Sequence, residues 1–600
     1  MNRAMEFYEK SIEEYEKLVK ILDVKIKNFS LLRLIIVLEA IGVGYYFYQK
    51  ENIYLIFVAT ILNLIAFMAV AYFHNVNINE RNEFRIYIDI NKRGMNRVKG
   101  DFKNIEDKGE EFLQGDHGFI NDLDIFGRSS LFQMINSTKT KFGRNKLAEI
   151  LSLEKLPQKN EIKEKQEAIK ELGEKIEFRQ KLEVKSTFKK SGIKEIEDIL
   201  TWSKEDLKRK KNIMIIPYIF IAFTFITIIL IILGKLQISY LVLMCLINYI
   251  VVKYQSKESR YEMDLFEAHK KDIEAYKNIL ELLDKEEFTS KYLKEKKNNL
   301  RNKDNKSAYE EMNKLNKLID WIGDSKANAY YLIINVLFLT DLFILKNLEN
   351  WKKENGKYLE EWLNIMGEFE ALASISNLQF DFENWSYPEI TDENIVEGNN
   401  IGHPMITNKA VVNSFNINGK HKVALITGSN MSGKSTFLRT VGLNLVLSYI
   451  GAPTFSKSFK CGIFNIYTCM RTKDNLEESI SSFYAEILRI KILIEAAKKG
   501  EKVFFLLDEI FKGTNSKDRH DGAIVLINQL VNNNALGLVS THDLELCDLE
   551  NTKEWIRNYN FQEYYEDNNI KFDYKLREGR SKTQNAIHLM KLAGIDFGNY

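Results

Sequence analysis

Apolar and charged positions first alternate with helical spacing. Residues 1–29, MNRAMEFYEKSIEEYEKLVKILDVKIKNF, predict an amphipathic surface or pairing helix over 1–30. Continuous apolar runs follow. Leu34–Tyr48 encloses Glu39 and follows Arg33, whereas Ile53–Phe73 has no charge over a length that lets a helix, at about 20 residues, cross a hydrocarbon core. Joined by QKEN, they predict a transmembrane hairpin over 31–75. A second pair, Ile213–Leu233 and Ile238–Val252 around GKLQ, predicts another over 211–253, with Pro217 tolerable near one end. Tyr330–Leu345 is shorter, contains Asp341, and reads as a core helix. Residues 254–326, dense in Lys and Glu with interspersed Leu, Tyr and Phe, predict long solvated helices or a coiled-coil arm.

Charge orients these segments. KEDLKRKKN and KYQSKESR flank the second pair, and INERNEFRIYIDINKRGMNRVKG follows the first. Positive flanks stay inside, so a multi-pass cell-membrane protein is expected, with both termini and all large segments cytoplasmic and membrane lipid contacted by four helices. About thirty mostly charged residues precede the first run, so no cleaved signal peptide is expected. Across 600 residues, 85 Lys+Arg against 83 Asp+Glu give no global signature of a nucleic-acid binder. Cysteines 245, 461, 469 and 547 lack paired metal spacing and form no disulfide framework. Only 5 prolines, amid abundant Lys, Glu, Ile, Leu and Asn, favour a mainly helical chain.

Chemistry concentrates near the C-terminus. VALITG reads as a strand, Gly428-Ser-Asn-Met-Ser-Gly-Lys-Ser435 as a phosphate loop, and TFLRTVGLNLVL as the helix that loop requires. Glycines 428 and 433 let backbone N–H groups curl around phosphates, Lys434 can reach the β/γ oxygens, and Ser435 can hold Mg²⁺. Val503–Leu507, apolar at every position, reads as an interior parallel strand. Asp508 at its end would order Mg²⁺ through water, and Glu509 would polarise the attacking water. A third strand, LGLVST, ends at His542, placed to sense a γ-phosphate; an inert loop histidine is the plainer alternative.

These residues resemble the MutS proteins, relatives of the ABC ATPases. TGSNMSGKSTFLRTVG, with Asn430 and Met431, is similar to the MutS phosphate loop; DEIFKGTNSKDRHDGA is similar to its acid pair, Gly-Thr turn and Asp-Gly. SSFYAEI (Ser481–Ile487) resembles the signature segment that reaches a partner's nucleotide, and STHD the switch histidine. DLDIFGRSSLFQMINSTKTKFG and the residues after it, to Leu172, resemble the start of the MutS core and lever; GHPMI (402–406) and FDYKLREGRSKTQNAIHLMKLAGI (572–595) resemble the flanks of its ATPase. The resemblance spans roughly 120–205 and 260–600.

It implies a mainly α chain with a C-terminal α/β ABC-type P-loop ATPase domain, its helical core and lever interrupted by the membrane hairpins. The expected order is a linker helix over 76–120, core and lever over 121–210, more helical core and clamp over 254–390, and the ATPase over 391–600. ATP and Mg²⁺ are the implied cofactors. Nucleotide binding falls to Gly428, Ser429, Asn430, Met431, Ser432, Gly433, Lys434, Ser435 and Thr436, with Ser481 and Ser482. Ser435 and Asp508 would hold the metal; Glu509, Lys434 and His542 would carry catalysis. Implied partners are a second copy of the chain and double-stranded or branched DNA, with Lys139, Lys141, Arg144 and Lys146 as candidate phosphate contacts or ordinary surface charge.

Departures bear on what is read. The family's mismatch wedge is Phe-x-Glu in an N-terminal domain; Phe7-Tyr8-Glu9 has that spacing, but within a charged helix, and reads as chance. The turn after Gly513-Thr514 is longer than in repair MutS proteins, and Ser479 stands where the signature glycine is usual. The expected function is therefore a membrane-anchored, DNA-coupled ATPase without assured mismatch reading. An ATP-driven transport engine is the alternative, disfavoured because four spans lack an intramembrane charge cluster and no Leu-Ser-Gly-Gly-Gln is present. A non-hydrolysing scaffold would not need Glu509.

Overall fold

A computed structural model describes residues 3–113, 117–187, 196–205, 216–255, 260–327, 329–407, 409–470, 482–566 and 569–581. The chain is mainly helical with a mixed α/β region toward the C-terminus. It divides into two compact units, one of residues 1–136, 148–176 and 375–600, the other of 137–147 and 177–374.

The first unit opens with two 47-residue helices, α1 (Arg3–Gln49) and α2 (Ile53–Lys99), each about 70 Å long at 1.5 Å per residue. Between them Glu51 takes a left-handed φ of 51°, and Asn52 caps α2 by accepting from Leu55 N at 3.1 Å. α2 ends at Gly100, whose φ of 78° suits a glycine cap. The helix of the second apolar run thus does not stop near Phe73. Of residues 76–120, expected as a linker helix, 76–99 continue α2, because nothing in that stretch breaks a helix, and the helix stops at Gly100. The helices pair through Tyr15 stacked on Phe84 and Tyr87, Asp23 bridging to Arg81 at 3.2 Å, and Arg33 over the Phe67 ring.

Among the described residues α2 is the one helix long and apolar enough to cross a membrane, and its apolar stretch is wholly unburied. The expected four spans narrow to this one by length and composition; the second apolar pair forms shorter helices, Ile216–Ile232 and Ile238–Gln255. At the other end of the α1/α2 hairpin, Tyr8 donates to Asp381 Oδ1 at 2.6 Å and Arg97 pairs with Asp381 Oδ2, all three buried. A Cβ on Gly94 would lie 2.4 Å from the Tyr8 ring, so only glycine lets the helices approach there. Phe7 meets Phe380 edge-on. The Phe7-Tyr8-Glu9 triplet is therefore packing.

The same unit holds a sheet ordered β10-β9-β4-β8-β7-β6. Its strands are β4 (Val423–Thr427), β6 (Asn465–Cys469), β7 (Val503–Asp508), β8 (Leu536–Ser540), β9 (Ile556–Glu566) and β10 (Asn569–Glu578). All pair in parallel except β10 with β9. β4 and β8 are buried at every position, as central strands covered on both faces require. A smaller sheet, ordered β1-β5-β2-β3, comprises β1 (Glu389–Ile390), β2 (Val396–Ile401), β3 (Asn413–Ile417) and β5 (Ser458–Cys461).

Residues 117–136 dock on the large sheet. Asp122, 2% exposed, accepts from Thr468 Oγ1 at 2.8 Å and Met470 N at 3.0 Å and faces Arg489 at 3.4 Å. Gly442 leaves room for Leu123, since a Cβ there would meet its methyl at 2.8 Å.

The second unit is helical. Buried Glu370 accepts from Thr140 and from Lys139 N, and Glu311 accepts from Asn355 at 2.8 Å. Its apolar helices join at the turn Leu233–Gln237, and a third, Ala329–Phe338, packs beside them before the chain breaks at Leu339. Tyr330–Leu345 is thus a broken helix rather than the single core helix its sequence predicts.

Candidate nucleotide site

Parallel order decides what can meet. β8 lies between β4 and β7, so the loops leaving the C-terminal ends of these three strands are neighbours: Gly428–Gly433, Asp508-Glu509 and Thr541-His542. Gly428 has φ 149°, and a Cβ there would sit 2.7 Å from Ser432 Oγ and 2.9 Å from Phe561 O. Gly433, φ 108°, caps the Lys434–Tyr449 helix and aims its free N–H groups at the loop. Met431 takes φ 68° and is 84% exposed, its side chain in solvent.

Lys434 Nζ, nearly buried, donates to Gly428 O at 3.0 Å and Ser429 O at 3.2 Å and lies 3.6 Å from Glu509 Oε1. Burial lowers its ammonium below the usual range against the pull of Glu509 and Asp508. His542 Nε2 stands 2.7 Å from Glu509 Oε1, 2.7 Å from Asn430 Oδ1 and 3.2 Å from Lys434 Nζ. One ring nitrogen serves one partner at a time: carrying a proton it donates to Glu509 or Asn430, and without one it accepts from Lys434. The His542 hydrogen bond and Lys512, 3.1 Å away, hold the Glu509 carboxyl down at about 2 against its burial. Glu509 adopts φ 51°, a left-handed conformation uncommon outside glycine. Asp508 Oδ1 accepts from Ser540 Oγ across the β7–β8 pair, and Glu509 N donates to Ser540 O at 3.0 Å.

Lys434 and Glu509 open onto a cleft of about 510 Å³, also lined by Asn430, Ser435, Thr436, Ile406, Val411 and Tyr574. Half-buried His403, on its wall, is pushed to about 4 by desolvation and by Arg439. A phosphate-and-metal cargo fits what is present. Ser432 Oγ is buried without a partner, Lys434 stands at the loop with its Nζ on the Gly428 and Ser429 carbonyls and the His542 ring, and the Ser435 hydroxyl and Asp508 carboxylate are the hard oxygen donors Mg²⁺ prefers.

The remaining expected residues divide. Ser481 lies outside the described residues, as do Ser479 and 582–595 of the downstream flank; Ser482 opens the Ser482–Lys498 helix. That helix abuts the turn after Glu509: Phe511 N donates to Glu486, and Gly513 sits where a Cβ would meet Phe483 at 2.6 Å. In the second unit Lys139 pairs with Glu183 at 3.3 Å and Lys141 with Glu197, while Arg144 and Lys146 are half-buried. Sequence motifs did not point to Lys512, Ser540, or Glu563, which accepts from Ser429 Oγ at 2.9 Å. Ser540 and Glu563 are ordinary polar residues brought in by strand pairing, and Lys512 reaches Glu509 from three residues further along the same turn.

Comparison with known proteins matches residues 424–597 to the family model for MutS domain V. The DNA mismatch repair protein MutS of Persephonella marina is 30% identical over 235 residues, 38% of this chain and 27% of that protein. MutS of Thermotoga petrophila is 30% identical over 252 residues, 41% and 32% respectively, and MutS of Clostridium tetani 30% over 242, 39% and 27%. The matched stretch covers less than a third of each of these three relatives. The chain is thus similar to MutS over its α/β region.

Proposed function

We propose that this chain is a membrane-tethered, MutS-like ATPase that binds Mg·ATP in the 510 Å³ cleft and hydrolyses it. One observation carries the reading: Lys434, Glu509 and His542, delivered by three different strand ends, converge within 3.6 Å of one another, with Lys434 and Glu509 on the cleft wall. Lys434 and the loop N–H groups bind the phosphates. Ser435 and Asp508 would hold Mg²⁺, which would supply neutralisation of phosphate charge. Glu509, ionised at neutral pH, orients and polarises the attacking water. His542 exchanges its Glu509 and Asn430 partners as the γ-phosphate arrives and leaves.

Two copies are proposed to pair across the nucleotide, each completed by the other's Ser481–Ile487 segment, with DNA as the cargo of the helical arms. The support is the similarity to proteins named DNA mismatch repair protein MutS. Both apolar hairpins are proposed to enter the membrane from the cytoplasmic side. The support is outward-facing Leu38, Ile41, Leu62, Ile65 and Met68 on the first, and Phe223, Ile226, Leu243 and Ile250 on the second, all more than half exposed. The test is ATP turnover and ATP binding by the full chain in lipid vesicles. Glu509→Gln retains binding and cuts turnover by ~10²–10⁴-fold, the span of a lost general base; turnover that persists in this variant overturns the assignment.

A further inference from the structure

The third apolar helix lies where a lipid-facing hairpin would otherwise present a bare flank. Asn248, fully buried, donates its amide to Thr224 Oγ1 at 2.9 Å and to Val336 O at 2.8 Å, tying Ile238–Gln255 to both Ile216–Ile232 and Ala329–Phe338. Phe338 packs on Phe225 at 6.0 Å, and Phe343 meets Tyr218 edge-on at 5.1 Å. Those two contacts fix a direction. Phe225 lies seven residues, about 10 Å, further along its helix than Tyr218. The chain at Phe338 is therefore about 10 Å deeper than at Phe343. Asn248, seven residues from the end of its own helix, puts Val336 at the same depth.

The chain then turns back. Leu339 adopts φ 50° and is fully buried, and Thr340 starts the next helix. Asp341 accepts from Tyr331 OH at 2.6 Å and Asn335 Nδ2 at 2.8 Å, while its N–H and the Thr340 hydroxyl donate to Asn335 Oδ1 at 3.0 and 3.1 Å. Tyr331 and Asp341 can meet only if the segments before and after Leu339 run back beside each other. This knot satisfies polar groups freed by the break, as backbone at membrane depth requires. Lys346 Nζ, 2.9 Å from Tyr218 OH, returns a charge to the flank that follows KEDLKRKKN. The outer surface of the inserted arm is apolar, with Ile333 63% exposed.

We infer that Ala329–Leu345 is a re-entrant element, dipping about 10 Å into the hydrocarbon from the cytoplasmic side against both helices of the second hairpin, with its apex at Phe338-Leu339. Its partner is the acyl-chain region of a bilayer. This rests on the membrane reading of that hairpin, and the experiment separates the two. Single cysteines replace Ile333, Phe338, Ile226 and Lys353 in a Cys245→Ala background, where the three other cysteines are buried. Each carries an environment-sensitive fluorophore, and the full chain is reconstituted in phosphatidylcholine–phosphatidylglycerol vesicles with or without brominated acyl chains. Bromine quenches labels at 226, 333 and 338, with 338 deeper than 333, and spares 353. Quenching at 226 but not at 333 and 338 overturns the re-entrant element alone. No quenching at 226 overturns the membrane reading as well.

Discussion

His542 is the residue on which the site turns, because its Nε2 lies within reach of a base, an amide and a cation. Its hydrogen bond is the largest influence holding the Glu509 carboxyl at about 2. The sign follows: a carboxylate whose folded value lies below its unfolded value, about 4.3, stabilises the fold fully above that pH and loses the contribution as pH falls toward 2. Glu509 therefore stays ionised from pH 5 to 8, and kcat against pH has no acidic limb from it. His542→Ala removes the restraint, so the Glu509 value rises toward the ordinary carboxylate range. Turnover is expected to fall by ~10–10²-fold while ATP binding persists, because the base loses its orienting partner. Equilibrium nucleotide binding beside steady-state turnover checks this; loss of binding equal to the loss of rate shows that His542 holds ground-state nucleotide instead.

Elements were legible where the pattern is local. β4, β7 and β8 declare themselves as unbroken apolar strands, and glycines 428 and 433 mark the loop because their φ values demand them. What depends on distant partners stayed hidden. Tyr8 finds Asp381 373 residues away, α2 outruns its apolar half because its polar half keeps helical spacing, and the break at Leu339 sits inside a run apolar enough to read as continuous. Asp122 shows what such a contact is worth. It joins 117–136 to β6 and, through Arg489, to the Ser482–Lys498 helix. Asp122→Ala removes the acceptor shared by Thr468 Oγ1, the Met470 N–H and Arg489, at a cost of about 1–3 kcal/mol. A lowered urea midpoint in tryptophan fluorescence is the expected readout. Asp122→Asn keeps an acceptor oxygen and recovers part of the loss, and an unchanged midpoint in Asp122→Ala shows that packing around Leu123 alone holds the segment.

At the scale of the whole molecule the two proposed partners, bilayer and DNA, would be held by different forces, and salt separates them. Bilayer association comes from apolar surface, which screening does not touch. Flotation of the chain with vesicles should be unchanged from ~50 to ~500 mM salt. DNA association, by contrast, must come from local cations, since the net charge is only +2. Lys139 is already engaged with Glu183, 7% exposed, and Lys141 with Glu197. To meet a phosphate Lys139 must leave a carboxylate that has little water of its own, so it is expected to contribute less than a free lysine. A footprint of four phosphates has a log–log salt slope of about −3.6, or ~10² lost in affinity between 50 and 200 mM. Lys139→Gln should leave that slope within ~0.3, whereas a true phosphate contact would reduce it by about 1. A full unit of change with Lys139→Gln shows that the Glu183 pair opens on DNA and places the backbone contact at the start of the Lys141–Ser152 helix.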